Sequence, residues 1–239
     1  ASEWGAIGGP FQYGDKYAHS AIVSSKETIQ SEGPWGVSDK VFNYTVFNSG
    51  SLSKYILRKV PYDFEYADIQ AGIGTPHAVY AEFTADETLL VRAEAQALLG
   101  HYAEALDDLN TELAAFSREG VQLTLDDVKK FYSDDVTAYY TPEKPTPRKA
   151  FHTTFAISKD TEEPMLQCIL HLRRIMTIHE GLRMQDVKRY GITIYRRDVK
   201  SNYKITGITD TMEARDPRLA IQLPQDVITA GVTPNPRNK

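Results

Sequence analysis

The sequence predicts a mainly α protein: helical hairpins joined by long irregular loops, with few short strands. Three observations carry that expectation. Residues 84–117 repeat apolar side chains at helical spacing behind a capping signal, and residues 162–190 do so over a longer run. Residues 1–83 show little helical periodicity while holding more than half of the Phe, Trp and Tyr residues. At 239 residues the chain is long enough to bury a real core.

The first element, residues 1–83, reads as an aromatic-rich, irregular segment. "DKVFNYTVF" (39–47) and "KYILRKV" (54–60) suit short strands or irregular runs, while "GPWG" (33–36) and "QAGIGTPHA" (70–78) read as loops by their Gly and Pro content. Residues 84–239 form the helical region, expected to fold as one unit. "TADETLL" places Thr84 three residues before Glu87, the capping-box spacing, and Leu90, Ala93, Ala97 and Leu98 then keep to one face. Beyond Gly100, the set Ala105, Leu106, Leu109 and Leu113 repeats the pattern, so residues 84–117 predict a hairpin. "TLDD" predicts a third, shorter helix from Thr124, with Asp127 at the reciprocal position.

Prolines 142, 145 and 147 make the middle of 133–161 an exposed connection. One long helix is expected over 162–190, roughly 40 Å at ~1.5 Å per residue. Its stripe is Met165, Ile169, Leu172, Met176, His179 and Leu182, with Arg173, Arg174, Arg183, Lys188 and Arg189 on or beside the other face. After Gly191, "ITIYRRDV" alternates briefly and the tail becomes irregular and proline-punctuated.

A formal net charge of −5, with no run of Lys or Arg, argues against nucleic acid as a partner. Cys168 is the single cysteine and lies in the apolar run "LQCILHL", so the chain forms no internal disulfide and the thiol is expected to be buried. No apolar run approaches the ~20 residues of a membrane span. The chain opens "ASEWGAIGG", without an initiator Met or a signal peptide, so either a leader has been removed or it is a piece of a longer protein.

The alanines of the hairpin let two helix axes approach closely. With Ala93, Gly100, Tyr102, Ala105 and Leu109, the hairpin resembles a tetratricopeptide (TPR) unit, although Leu89 replaces the usual aromatic and no proline closes it. No second copy follows at a period of about 34 residues. "ADETLLVRAEAQALLGHYAEALDDLN" (85–110) further resembles the signature of the SusD/RagB family, surface glycan-binding lipoproteins of Bacteroidetes, through Arg92, Ala93, Glu94, Gly100, Ala105, Leu109 and Asn110. "RRIMTIHEGLRMQDVKRYG" (173–191) continues the resemblance through Glu180, Gly181, Arg183, Asp186, Arg189 and Gly191, with Met184 where the family has an aromatic. The close "LAIQLPQDVITAGVTPNPRN" is similar to the family's closing segment but lacks its Gln-Asn-Pro-Gly end.

The resemblance implies a SusD-like fold and the C-terminal portion of a longer outer-membrane protein. A lipid-modified cysteine in the part absent here would supply the membrane anchor. It implies an oligosaccharide or other nutrient as ligand and a SusC-like TonB-dependent transporter as partner, with capture at the cell surface and no catalysis. The alternative is a TPR-like scaffold that binds a protein and no sugar.

Sugar rings stack C–H faces on aromatic rings and need polar partners at the rim. Trp4, Phe11, Tyr13, Tyr17 and Trp35 lie in loop-like sequence that suits such a platform; core of the non-helical part is the other reading. Trp4, Tyr13, Tyr17 and Trp35 are the ligand-binding candidates. Glu180, Arg183 and Asp186 recur at i, i+3 and i+6, and with Arg92, Glu94, Gly100 and Gly181 they are expected to be structural. No HExxH, HxH, GxSxG, Walker or GxGxxG motif is present, and His171 with His179 is too small a set for zinc. No cofactor or metal is predicted.

Overall fold

The computed structural model describes residues 27–42, 46–49, 54–57, 62–78, 83–178, 181–200 and 204–237. Near its start, β1 (Glu32–Gly33) and β2 (Gly36–Val37) pair across a tight turn and lead into α1 (Ser38–Val41). Two further antiparallel hairpins follow, β3 (Val46–Ser49) with β4 (Lys54–Leu57) and β5 (Tyr62–Asp68) with β6 (Ile73–Ala78). The helical body holds α2 (Ala85–Leu98), α3 (Tyr102–Phe116), α4 (Leu125–Phe131), α5 (Glu162–Met176) and α6 (Arg183–Tyr190). A last hairpin, β7 (Ile194–Val199) with β8 (Ile205–Met212), precedes a 3-10 turn at Pro217–Leu219 and the short α7 (Gln225–Thr229). The described residues are mainly α with few short strands, as expected.

The hairpin of α2 and α3 forms where its local chemistry dictates. The Thr84 hydroxyl accepts from the Glu87 amide at 3.3 Å, and Gly100 takes the left-handed φ of +78° that ends α2. Ala93, Ala97, Ala105 and Leu109 are fully buried between the two helices and their neighbours. At α4 the capping box is complete: the Asp127 amide donates to Thr124 at 3.2 Å, and the Thr124 amide donates to the Asp127 carboxylate at 2.8 Å. Asn110 ties this region together by a two-way bond to the Leu123 backbone, at 3.0 and 2.8 Å. Residues 133–161 form no helix or strand.

Three expectations are corrected. The single helix over 162–190 is two helices. α5 stops at Thr177, whose hydroxyl bonds back to the Arg173 carbonyl at 2.8 Å, and Gly181 then sits at φ +81°, outside helical geometry. Nor is α5 apolar on one face and solvated on the other. Thirteen of its fifteen residues are buried, Arg173 included, which makes it the central element of the core rather than a surface brace.

The "QAGIGTPHA" loop is half strand. Asp68 accepts from the Gln70 and Ala71 amides at 2.9 and 3.0 Å, turning the chain at residues 69–72, and residues 73–78 return along β5. Gly74 is required there, since a Cβ would stand 2.2 Å from the Glu65 carbonyl oxygen.

The core joins Leu90, Leu113, Val128, Met165, Ile169, Leu172 and Tyr190. Part of the first third belongs to it: Ile29, Trp35 and Phe42 are buried, and the Arg118 amide donates to the Val41 carbonyl at 2.9 Å. The segment 27–42 is therefore built into the helical body. Among the described residues no helix is long and apolar enough to cross a membrane.

Candidate functional site

Four of the residues that carry the sequence resemblance, Glu94, Arg183, Asp186 and Arg189, meet in one ion network centred on buried carboxylates. Glu94, on α2, receives the guanidinium of Arg173 from α5, the Nε of Arg189 at 2.9 Å and the hydroxyl of Tyr190 at 2.6 Å, both from α6. Arg173 also reaches Asp186 at 2.8 Å and donates to the Leu90 carbonyl at 3.0 Å. Arg183 lies 3.4 Å from the other Asp186 oxygen. Burial works against the charge on Arg173, but Asp186 and Glu94 outweigh it and hold the guanidinium above its usual range. Burial, reinforced by the Glu94 carboxylate, pushes the Tyr190 phenol up.

Arg92 clasps Asp108 of α3 on the exposed side of the same helix pair, with its Nε 3.0 Å from the carboxylate. Gly100 and Gly181 both adopt left-handed backbone, as structural glycines do. Glu180 lies outside the described residues. Arg92, Glu94 and Asp186 thus tie elements together and the two glycines shape the chain, while the ion pair of Arg183 lies within α6.

A second buried carboxylate escaped the sequence reading. Glu27 pairs with Arg197 at 2.9 Å, Arg174 at 3.2 Å and Lys149 at 3.3 Å. Burial opposes its charge, yet the three cations hold it below the usual carboxylate range. Burial, aided by Arg174 and Arg183, pushes the Lys149 amine well down. Lys149 lies 3.4 Å above the ring of Tyr140, which stacks on Tyr195. No motif marks Glu27, because its partners are spread over three distant segments.

Trp35, expected as a ligand-facing aromatic, is a core residue. Its side chain packs on Phe42 and on His171, its Nε1 donates to Ser38 at 3.0 Å, and only 5% of the residue is exposed. A ring so enclosed has no face to offer a sugar. Trp4, Tyr13 and Tyr17 lie outside the described residues.

His171 has both ring nitrogens engaged, 2.7 Å from the Ser31 hydroxyl and 2.9 Å from that of Tyr132. Burial, reinforced by Arg174 and Lys149, pushes its pKa well below the usual 6.5, so the ring is neutral. His179 lies outside the described residues. Among those that are described, no group of three or more His, Cys, Asp or Glu side chains is placed to hold a metal ion. Cys168 is buried, and burial pushes its thiol up.

Among the described residues, two surface cavities are binding candidates. One of about 390 Å³ lies at the start of α2 between Phe83, Thr88, Leu89 and Arg92. The larger, about 500 Å³, is a groove between the β1–β2 turn and the 131–147 connection. Its walls are pinned from behind: Arg148 donates to Asp134 at 2.6 Å, the Thr137 carbonyl at 3.0 Å and the Tyr139 hydroxyl at 2.8 Å. Lys149 donates to the Thr146 carbonyl at 2.7 Å. Comparison of the chain with protein-family models, with curated proteins and with solved structures returned no match.

Proposed function

We propose that this chain is part of a SusD-like outer-membrane protein that captures an oligosaccharide at the cell surface for import through a SusC-like TonB-dependent transporter. The reading assigns it no chemistry: the ligand is held and released, with the TPR-like helices as scaffold and the loops as the ligand side. A lipid anchor would tether the full-length protein.

One observation supports it above the others. Two segments that resemble the family's signatures, separated by more than sixty residues of sequence, converge on the Glu94 carboxylate, which receives Arg173, Arg189 and Tyr190. Chance similarity gives no reason for such convergence. The carboxylates of that network are engaged in ion pairs between elements, a structural use that agrees with capture rather than turnover.

The test is calorimetric titration of the folded chain with pooled neutral and acidic oligosaccharides, with a parallel reducing-sugar assay. Saturable binding without new reducing ends is expected. Absence of binding to every pool would remove the capture reading for this chain, and release of reducing ends would make it a hydrolase.

The rival, a protein-binding helical scaffold, is favoured by one feature. Phe83, Val91 and Leu99 are exposed on or beside α2, Phe83 at 90%. Val91→Asp with Leu99→Asp separates the readings. It would abolish capture of a protein partner and leave oligosaccharide binding unchanged.

A further inference from the structure

From the groove between the β1–β2 turn and the 131–147 connection, and resting on the capture reading above, we infer that this is the ligand site and that it takes an uncharged saccharide. The groove has the volume of a small-ligand site, about 500 Å³ against a usual range of about 300–1,000 Å³. It is also preformed. Buried Arg148 fixes one wall through three donations, and the other is anchored by Trp35 and by the Ser38 hydroxyl, which donates to the Ser31 carbonyl at 2.6 Å. A site that is already ordered loses little conformational entropy when a ligand enters.

Its chemistry selects the ligand. The Thr137 hydroxyl donates to the Phe131 carbonyl at 2.6 Å, and the Thr146 hydroxyl to the Ala138 carbonyl at 2.7 Å. With their protons committed to the backbone, both hydroxyls can serve a ligand only as acceptors. Glu32 adds a carboxylate, also an acceptor, and no Lys or Arg is among the lining residues described. Gln30 is the one described lining side chain with amide protons, and it already donates to Asp39 at 3.1 Å, so the lining favours a ligand that brings donors and no negative charge. Sugar hydroxyls meet that demand, whereas uronates, sulfates and phosphates would meet Glu32 with no Lys or Arg among the described lining residues to offset it. Phe131, Val136, Pro145 and Pro147 supply rigid apolar surface on which the C–H faces of a pyranose can lie.

The test uses the whole chain, with maltohexaose, cellohexaose, xylohexaose and mannohexaose as neutral probes and hexagalacturonate as the acidic one. Val136 is 55% exposed, so Val136→Arg places a long charged side chain in the groove without disturbing the core. Circular dichroism and thermal melting verify that each variant folds. Binding of at least one neutral probe is expected, weakened tenfold or more by Val136→Arg and several-fold by Glu32→Gln.

Neutral binding that neither substitution changes would overturn the groove assignment and leave capture standing. Tighter binding of hexagalacturonate than of every neutral probe would overturn the ligand class. Binding of none of the probes, and of none of the pooled oligosaccharides, would remove the capture reading and this inference together.

Discussion

Glu94 and Glu27 make the same device in two regions of the molecule, a buried carboxylate met by three donors. Around Glu94 the donors come from helices and include two guanidiniums. Around Glu27 they come from loop, helix and strand: again two guanidiniums, but with the Lys149 amine where Glu94 has a phenol. The two networks tolerate loss differently for that reason. Arg173 stays charged at any ordinary pH, so removing its partners leaves a buried cation. Lys149, already pushed well below its usual 10.5, can lose its proton when its partner disappears.

Arg173→Ala should have the largest effect, since it takes the shared buried cation from Glu94 and Asp186 together, leaving Glu94 to Arg189 and Tyr190 and Asp186 to Arg183. A loss of about 3–5 kcal/mol is expected, read by urea denaturation. Glu27→Ala should cost less, about 2–3 kcal/mol at neutral pH, and less again at alkaline pH, where Lys149 is neutral. A Glu27→Ala loss that does not change with pH would show that Lys149 does not shed its proton when its carboxylate is gone.

The pH profile of the native chain separates two groups. Glu27 is held below its usual 4.5, so its contribution is complete above that pH and disappears as pH falls through the folded value. His171 is held below 6.5: as pH drops past that point the unfolded chain takes up a proton that the folded chain refuses, and stability falls. Each group contributes up to about 1.4 kcal/mol per pH unit inside its window. His171→Gln should flatten the stability curve below pH 6.5, and Glu27→Gln should flatten it only in the more acidic range. Unchanged slopes in both variants would mean that other groups govern acid unfolding.

The smallest contrast is between glycines of one signature segment. Gly191, at φ +60°, would place a Cβ 2.4 Å from the His152 carbonyl oxygen, whereas at Gly181, φ +81°, nothing among the described residues lies within 4 Å. Gly181→Ala should cost about 1 kcal/mol from backbone strain alone, and Gly191→Ala about 2–3 kcal/mol, because the clash is added. Thermal melting of the pair reads the difference.

What the sequence made legible follows the same division. The hairpin of α2 and α3, the capping box at Thr124 and the proline-rich connection are local, set by spacing and by residues that bond a few positions away. The Glu94 network was half legible, since its members stood out within motifs although their mutual contacts did not. Glu27 was invisible because its cations lie 122 to 170 residues away. The break after α5 was missed for a related reason. The stripe continues in phase across it, and Arg173 and Arg174 imitate a solvated face. Trp35 misled by its setting, "GPWG", which reads as a loop yet is the tight turn of the β1–β2 hairpin with the Trp35 side chain buried. The groove carries no motif, because its walls come from segments about a hundred residues apart.

Arg173 and Arg174 are neighbours on α5, yet one is tied to Glu94 and the other to Glu27. Successive side chains on a helix point about 100° apart, so the pair fixes the helix's angular setting as two pins fix a shaft. Rolling α5 toward either carboxylate draws the other arginine off its own. A single-residue insertion in α5 upstream of the pair would rotate both out of register at once. The helical body and the loop side carrying the groove are thereby keyed to the same axle.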